Sequence, residues 1–289
     1  MNRYAPHMDL RQLKSFVAVV DAGTFTDAAT VLGLTQASVS RSVAALEAAL
    51  GVRLLQRSTR HVALTAVGSQ VLDGARRVLD EVAHLHRIAS QSLTELRIGY
   101  AWSALGKHTR RVQKSWAAQH PGLPLVFVQS NSLTAGLAEG TADVAVVRKA
   151  IDDARFETAL LGTERRYGVV ATDNPLARKR SLKLADLARY SLAVDDRTGT
   201  TTLDLWQPGK APAVVRNTHS VDEWLTLIAA GQAVGMTSEA TASLNPRPGV
   251  AYRAVADAPP IAVWLAWWKD QPPQHLTDLI TLACDAYRV

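Results

Sequence analysis

Short apolar stripes separated by glycines open the chain. One stripe covers residues 10–20 and is followed by Gly23, and a second covers residues 28–32 and is followed by Gly33. Apolar residues three and four positions apart predict amphipathic helices, and glycine is a frequent helix end. The pattern therefore predicts two short helices joined by a tight turn.

A third, longer helix is predicted over residues 36–50, where Thr35 can act as the N-terminal cap. Thr24, with Asp27 three residues later, has the pattern of a capping box for the second helix. The buried face of the third helix is expected to consist of Val39, Val43, Leu46 and Leu50. This arrangement is typical of a helix-turn-helix, although a generic three-helix core has the same periodicity.

The opposite face of the third helix favours the helix-turn-helix. Small or hydrogen-bonding residues gather at its N-terminal end, namely Gln36, Ala37, Ser38, Ser40 and Arg41. Glutamine can bond adenine and arginine can bond guanine bidentately, and small residues allow close approach to the major groove. Thr35, at the helix N-terminus, suits a phosphate. We therefore expect a recognition helix.

Two strand-like segments follow Gly51 and flank Ser58-Thr59-Arg60. They predict a β-hairpin wing beside the recognition helix. Arg53, Arg57 and Arg60 would offer cations to phosphates or to the minor groove. The alternative interpretation is a solvated basic hairpin without a partner.

Residues 65–93 carry apolar side chains at alternating steps of four and three. These positions are Val71, Ala75, Val78, Val82, Leu85 and Ala89. The spacing is typical of a coiled-coil seam, and we expect a small winged domain to be unable to cover it. Pairing with a second copy would supply the two-fold symmetry for reading two half-sites. The alternative is a long helix packed on its own C-terminal domain.

From about residue 96, β-rich apolar runs alternate with helical patterns, which predicts an α/β domain. The length of 289 residues allows two or more domains. The net charge of +6 is compatible with a polyanionic partner. A single cysteine, Cys284, excludes an internal disulfide pair.

Several functional classes lack their sequence signals. The chain has no apolar run near the ~18 residues of a membrane span and no secretory pattern at its start, so we expect a cytoplasmic protein. The motifs G-x-S-x-G, G-x-G-x-x-G, H-E-x-x-H and the P-loop are absent, which argues against an enzyme. His84 and His86 would point to different faces of a helix. We expect neither a metal site nor a resident cofactor.

The ordered motifs of residues 8–68 resemble the DNA-binding segment of the LysR-type transcriptional regulators. The matching pieces are Leu-Thr-Gln-Ala-Ser-Val-Ser-Arg at 34–41, Leu46-Glu47, Gly51, Arg57 and Leu64-Thr65-x-x-Gly68. Leu55 departs from the family's usual phenylalanine, and residues 1–7 precede its usual start, so that Met1 and Met8 both stay candidate initiators. The resemblance implies DNA contacts by Gln36, Ser38, Ser40, Arg41 and Arg60.

The C-terminal part resembles the family's effector domain, which has a periplasmic-binding-protein type II-like α/β fold with two lobes. The resemblance implies an all-α winged helix-turn-helix with a small β wing over residues 1–64, a linker helix for dimerisation over 65–93 and the effector domain over 94–289. Lobe I is expected at about 94–166 and 262–289, and lobe II at about 167–261. A helix is expected at 133–139 in lobe I.

In this fold the ligand binds between the lobes, at strand ends and helix N-termini. The residues expected there are Trp102, Ser103, Ser130, Asn131, Ser132, Arg148, Thr198, Thr200, His219, Ser220 and Thr237. Each serine or threonine has the alternative role of a helix cap, and Trp102 could instead pack in the core. The stretch from Asp195 to Arg197 reads as a solvated turn, with Arg197 as an alternative partner for an acidic ligand.

The resemblance implies a sequence-specific regulator of transcription whose activity responds to a small-molecule effector. The expected partners are double-stranded DNA with an interrupted palindromic promoter site, a second copy in a dimer, a tetramer of two dimers, and RNA polymerase; no membrane is involved. In the cell the protein would be in the bacterial cytoplasm and associated with the nucleoid when bound to DNA. The alternatives are a non-specific architectural DNA-binding protein and a ligand-independent repressor.

Overall fold

The chain forms two compact units, residues 1–91 and 92–289, each with its own hydrophobic core. The computed structural model describes residues 8–57, 62–89, 95–195, 197–213, 215–218 and 220–288. None of the helices within these ranges combines the length and the apolar character that crossing a bilayer requires.

Helices and a small hairpin build the N-terminal unit. The elements are α1 (Leu10–Ala22), α2 (Phe25–Leu32), α3 (Gln36–Leu50), β1 (Leu55–Arg57), β2 (Val62–Leu64) and α4 (Ala66–Ala89). The two predicted caps are confirmed, because the N–H of Asp27 donates to the Thr24 hydroxyl and the N–H of Ser38 donates to the Thr35 hydroxyl. The capping box predicted for α2 is wrong, because the Asp27 carboxylate accepts the Thr24 hydroxyl at 2.6 Å in place of the backbone N–H of Thr24. Strands β1 and β2 pair antiparallel, as the wing requires.

The core of this unit lies where α1, α2 and α3 meet. Val39, Val43 and Leu46 of α3 are buried as predicted. The prediction for Leu50 is wrong, since its side chain is exposed. The chain turns at Gly51 (φ +69°), directly after Leu50, and Leu54 enters the core instead.

Helix α4 divides its apolar positions between the core and the surface. Leu72 and Ala75 are buried in the core of the N-terminal unit. Val78 and Leu85 are exposed, with Leu85 at 58%. The expectation that the winged unit leaves the whole stripe uncovered is therefore wrong for the first half of α4, which packs against α1.

Lobe I of the C-terminal unit is a mixed five-stranded sheet with helices packed on it. Its elements are β3 (Leu96–Tyr100), α5 (Thr109–Gln119), β4 (Leu125–Gln129), β5 (Val144–Val147), β6 (Phe156–Glu164), β12 (Ile261–Trp268) and α9 (Leu276–Tyr287). The strand order is β4-β3-β5-β12-β6, with β3 parallel to β4 and β5 and with β12 antiparallel to β5 and β6. Trp116 of α5 and Leu279 of α9 are buried in one core.

Lobe II is inserted in the chain between β6 and β12. Its elements are β7 (Arg166–Ala171), α6 (Leu184–Leu187), β8 (Leu192–Val194), β9 (Val215–Asn217), α7 (Val221–Ala229), β10 (Val234–Ser238), α8 (Glu239–Leu244) and β11 (Val250–Ala254). The strand order is β11-β7-β10-β8-β9. The lobe therefore has a sheet of its own, with Trp224 and Leu192 buried in its two cores.

The helix predicted over residues 133–139 is wrong, because this segment is a succession of turns. Ala135 (φ +48°) and Gly136 (φ +95°) both adopt left-handed backbone conformations, which a right-handed helix cannot contain. The backbone lies against β3, where a Cβ atom on Gly99 would come 1.8 Å from the carbonyl oxygen of Ala135. The hydroxyl of Ser132, three residues after β4, accepts the N–H of Gly136 at 3.1 Å, so these turns hold its side chain.

Candidate nucleic-acid interface and ligand cleft

The exposed end of α3 carries most of the predicted DNA-binding side chains. Burial of its opposite face in the unit's core fixes the rotation of the helix. Gln36, Ala37 and Arg41 are exposed, and Ser38 and Ser40 are half-buried. Thr35, also exposed, lies at the helix start as its cap. The structure therefore gathers these six predicted residues on one surface.

Glu47 connects α3 to the wing. One of its carboxylate oxygens accepts the backbone N–H groups of Leu54 and Leu55, at 2.8 and 3.1 Å. Glu47 belongs to the motif that resembles the LysR-type regulators, but the sequence did not indicate its role. These bonds show that it positions the start of the wing. Arg53, just before β1, is exposed. Of the other two predicted arginines, Arg57 ends β1, and Arg60 lies outside the described residues.

A cleft with about 700 Å³ of empty space lies between the two lobes of the C-terminal unit. Its wall is rich in hydroxyl groups, contributed by Ser132, Thr198, Thr200, Thr201, Thr237, Ser238 and Thr241. The apolar part of the wall includes Trp102 and Trp224, whose ring centroids are 5.3 Å apart. Such a mixture of aromatic surface and a few polar groups suits a small polar molecule.

Six of the eleven residues predicted for the effector site line this cleft. They are Trp102, Ser132, Arg148, Thr198, Thr200 and Thr237. His219 lies outside the described residues. Ser103, Ser130, Asn131 and Ser220 do not line it.

These four residues have other hydrogen-bonding partners. Ser103 is buried with its hydroxyl 3.0 Å from that of Thr241, and Ser220 caps α7. The Ser130 hydroxyl donates to Ser132. The amide oxygen of Asn131 lies 2.9 Å from the Thr198 hydroxyl, and it shares the one proton of that hydroxyl with the Asp195 carboxylate, which is 2.7 Å away. Because Asn131 belongs to lobe I and Thr198 to lobe II, this bond joins the two lobes.

The loop after β8 is the part of the cleft that the sequence analysis described least well. Asp195 is buried rather than solvated, and it accepts the N–H groups of Arg197 and Thr198. A Cβ atom on Gly199 would lie 2.2 Å from the carbonyl oxygen of Asp195, so the loop requires glycine there. Thr201, also missed, donates to the carbonyl of Met236. The run Thr-Gly-Thr-Thr-Thr at 198–202, directly after a strand, was the available signal.

Trp102 has a buried indole N–H without a hydrogen-bonding partner within the described ranges. Its neighbour Trp224 differs, because the N–H of that indole donates to the carbonyl of Ala193 at 2.8 Å. An unsatisfied buried donor costs about 1–3 kcal/mol. Trp102 therefore lines the cleft with a ring whose N–H is an unsatisfied donor and is closed to solvent in this structure.

Arg148 lines the cleft, but its guanidinium is engaged elsewhere. It donates to the Glu164 carboxylate at 2.8 and 3.0 Å and to the carbonyls of Ser103 and Ala104. Tyr287 donates its hydroxyl to the same carboxylate at 2.8 Å. The cations that remain exposed on the cleft wall are Lys149 and Arg197, among the described residues.

The environment of Glu164 shifts its titration. Burial by itself raises the pKa of this carboxyl. The charge of Arg148 and the hydrogen bonds from Arg148, Tyr287 and Ser238 together outweigh burial, so the pKa is held below its ordinary value. Burial, followed by the charge of Glu164, raises the pKa of Tyr287. Glu164 is therefore ionised and paired at neutral pH.

Two family descriptions cover nearly the whole chain. The bacterial regulatory helix-turn-helix protein, lysR family, matches residues 10–69, and the LysR substrate binding domain matches residues 89–286. This protein belongs to the LysR family of transcriptional regulators. The match to the LysR-type helix-turn-helix runs from α1 to the first turn of α4, and the match to the LysR substrate binding domain contains the cleft. The fold class expected from the sequence is confirmed.

Individual LysR-family relatives agree with this assignment. The HTH-type transcriptional regulator BenM of Acinetobacter baylyi is 30% identical over 252 residues, which are 82% of this chain and 83% of BenM. The crystal structure of CbnR, a LysR family transcriptional regulator, has a TM-score of 0.55 at 26% identity and covers 96% of this chain and 100% of CbnR. Full-length CbnR complexed with its target DNA has a TM-score of 0.55 at 25% identity, with coverages of 97% and 100%. The similarity is to DNA-binding regulators with an effector domain and not to enzymes.

Proposed function

We propose that this regulator reads base edges in the major groove with the exposed N-terminal end of α3. The observation that carries the proposal is the orientation of α3, whose buried face turns Gln36 and Arg41 outward. Arg41 would bond a guanine and Gln36 an adenine. Thr35, Arg53, Arg57 and Arg60 would contact phosphates or the minor groove.

A second copy would join the first through the exposed part of α4. Val78 and Leu85 lie seven residues apart on that helix, which is the spacing of a coiled-coil seam. Two α3 helices would then enter major grooves roughly 34 Å apart on an interrupted palindrome. Two such dimers would form the tetramer, bound on the nucleoid in the bacterial cytoplasm with RNA polymerase as a further partner.

The effector would bind in the cleft between the lobes as a small carboxylate or other polar anion. The hydroxyl-rich wall, the unpartnered N–H of Trp102 and the exposed charges of Lys149 and Arg197 support this class. Since Thr198 and Asn131 bond across the cleft, a ligand that competes for these groups would change the relation of the lobes. A ligand can change the relation of the lobes only if it binds one arrangement of the lobes more tightly than the other.

A footprint on the DNA upstream of the regulator's own gene and of the neighbouring gene tests the proposal. We expect protection of two half-sites by the full chain. Arg41→Ala should weaken binding to that site by ~1–3 kcal/mol, with little effect on random DNA. Arg53→Ala is the matched control, because loss of a phosphate contact weakens binding to both DNAs alike. Equal losses on both DNAs for Arg41→Ala would contradict base reading.

The same footprint tests the cleft. It is repeated with the small carboxylates that the neighbouring gene's product makes or consumes. We expect one of them to change the length of the protected region, and Trp102→Phe to weaken that response because it removes the indole donor. A response that is unchanged in Trp102→Phe and in Lys149→Ala would place the effector outside this cleft. The protein without effector should still protect the DNA whichever result is obtained. Failure of the effector proposal can therefore be distinguished from failure of the DNA-binding proposal.

A further inference from the structure

Three side chains from two segments far apart in sequence meet at one end of lobe I. His120 directly follows α5, and His275 and Asp278 lie at the start of α9. One ligand atom from each lies within 4.8 Å of the other two. The sequence analysis weighed only His84 and His86 as metal ligands and therefore missed this group.

The distances within the group do not match ordinary hydrogen bonds. Nε2 of His120 is 3.3 Å from Oδ2 of Asp278, and Nδ1 of His275 is 3.4 Å from the same oxygen. An N–H···O bond has a typical N···O distance of about 2.9–3.0 Å. Ligand atoms about 2.0–2.1 Å from a tetrahedral cation lie about 3.3–3.4 Å from one another. The two nitrogen-to-oxygen distances therefore have the length of an edge of a tetrahedral coordination sphere, and the two imidazole nitrogens lie within 4.8 Å of each other.

His120 supplies a second, independent observation. Its Nε2 atom is buried and has no hydrogen-bonding partner within the described residues, although an unsatisfied buried nitrogen is costly. Its ring is held in place, with its centroid 4.2 Å from that of Trp116 and 4.3 Å from that of His275. The three rings pack at interplanar angles of 38° and 46°, and this contact orients the imidazole before any ligand arrives, as a metal site requires.

The charge of the group is suited to a cation. Within the part of the chain that the structure describes, the basic side chains within 4 Å of the Asp278 carboxylate are these two imidazoles. Neutral imidazole is a common metal ligand, and the carboxylate supplies one negative charge. No lysine or arginine in the described ranges pairs with Asp278 and competes with a metal for its oxygen.

We propose that His120, His275 and Asp278 bind one divalent cation of the zinc class, with a water in the fourth position. Two imidazole nitrogens and one carboxylate oxygen match the preferences of zinc and its first-row neighbours, whereas Mg²⁺ and Ca²⁺ prefer oxygen ligands alone. The bound ion joins the end of α5 to the start of α9. It thereby holds the last helix of lobe I on the lobe's sheet.

Cobalt(II) titration of the full-length chain tests the proposal. The protein carries no affinity tag and is first stripped of metal with a chelator. We expect visible d–d absorption that saturates at one Co²⁺ per chain, is displaced by Zn²⁺ and is insensitive to excess Mg²⁺. Zn²⁺ should also raise the thermal midpoint of the stripped protein, because it binds the folded state.

Matched variants locate the ion. His120→Ala and Asp278→Asn should each weaken Co²⁺ binding by more than about 100-fold, since even a residue that only orients a ligand contributes about 10–100-fold. His108→Ala, at the other end of α5, and Asp285→Asn, on α9, should keep the wild-type affinity. Absorption that survives in both ligand variants, or the absence of saturable Co²⁺ binding, overturns the proposal. Far-ultraviolet circular dichroism identifies any variant that fails to fold, and His275→Gln then replaces it.

Discussion

Glu164 is a buried carboxylate that pairs with Arg148, a residue of the cleft wall. Its side chain is 6% exposed and that of Arg148 is 10% exposed, so water screens their charges poorly. The carboxylate also receives the Tyr287 hydroxyl and, more weakly, the N–H of Ala240 at the start of α8. Arg148 and Tyr287 belong to lobe I and Ala240 to lobe II. The pair therefore stabilises the point where the chain passes from one lobe to the other.

We expect Glu164→Gln to reduce the free energy of unfolding of the C-terminal unit by about 3–5 kcal/mol at pH 7, because it leaves the charge of Arg148 buried without its counter-ion. The folded-state pKa of Glu164 is below its ordinary value. Its stabilising contribution is therefore present above that ordinary value and is lost as the pH falls through the folded-state pKa. Urea unfolding at a series of pH values should show the difference from wild type shrinking in acid.

Glu157→Gln is the control for this measurement, since Glu157 lies on the same strand and is exposed. It should change the unfolding free energy by less than about 0.5 kcal/mol. If Glu164→Gln were as stable as Glu157→Gln at pH 7, the buried pair would have no stabilising role.

At the scale of elements, α4 contains two glycines in opposite surroundings. A Cβ atom on Gly68 would come 2.1 Å from the carbonyl oxygen of Leu54, whereas one on Gly74 would have no atom within 4 Å. Gly68 therefore allows the helix to lie directly on the segment that leads into the wing. This contact is a physical reason for the glycine in the Leu64-Thr65-x-x-Gly68 motif.

We expect Gly68→Ala to destabilise the N-terminal unit by about 1–3 kcal/mol, because the added methyl group collides with backbone. Gly74→Ala should stabilise it by about 0.5–1 kcal/mol, since alanine loses less conformational entropy in a helix. Amide hydrogen exchange of the peptides from α1–α3, measured in the full chain, gives both values. Effects of equal sign in the two variants would refute the close contact at Gly68.

Elements whose conformation depends on neighbouring residues could be predicted from the sequence. Elements whose conformation depends on contacts with backbone far away in sequence could not. Helix α3 followed from its periodicity and from the cap at Thr35, which are local properties. The turns near Ala135 did not, because nothing local reveals their left-handed conformation or the approach of β3. In the cleft, Thr198 followed from its position after a strand, whereas Ser103 is used by Thr241, a residue of the other lobe. The hydrogen bond between Ser103 and Thr241 forms only in the folded domain, so the sequence alone could not reveal it.

At the scale of the whole molecule, the exposed apolar residues of α4 require a partner. Leu85→Glu should convert the dimer into monomers in sedimentation velocity, since a charge in a coiled-coil seam has no counter-ion and is costly to bury. Binding to paired half-sites should fall toward the affinity for a single half-site. The matched control is Leu203→Glu, where an exposed leucine lies on lobe II. A dimer unaffected by Leu85→Glu would assign self-association to another surface.

The insertion of lobe II between strands of lobe I determines the order in which the parts of the protein can fold during synthesis. Strand β12 lies between β5 and β6, yet residues 165–260 are made before it. At roughly 5–20 residues per second, synthesis of this stretch takes about 5–20 seconds. The N-terminal unit and lobe II can each fold from a continuous segment during that time. Lobe I cannot, because the edges of β5 and β6 stay unpaired until β12 is made, and unpaired strand edges are templates for pairing with other chains.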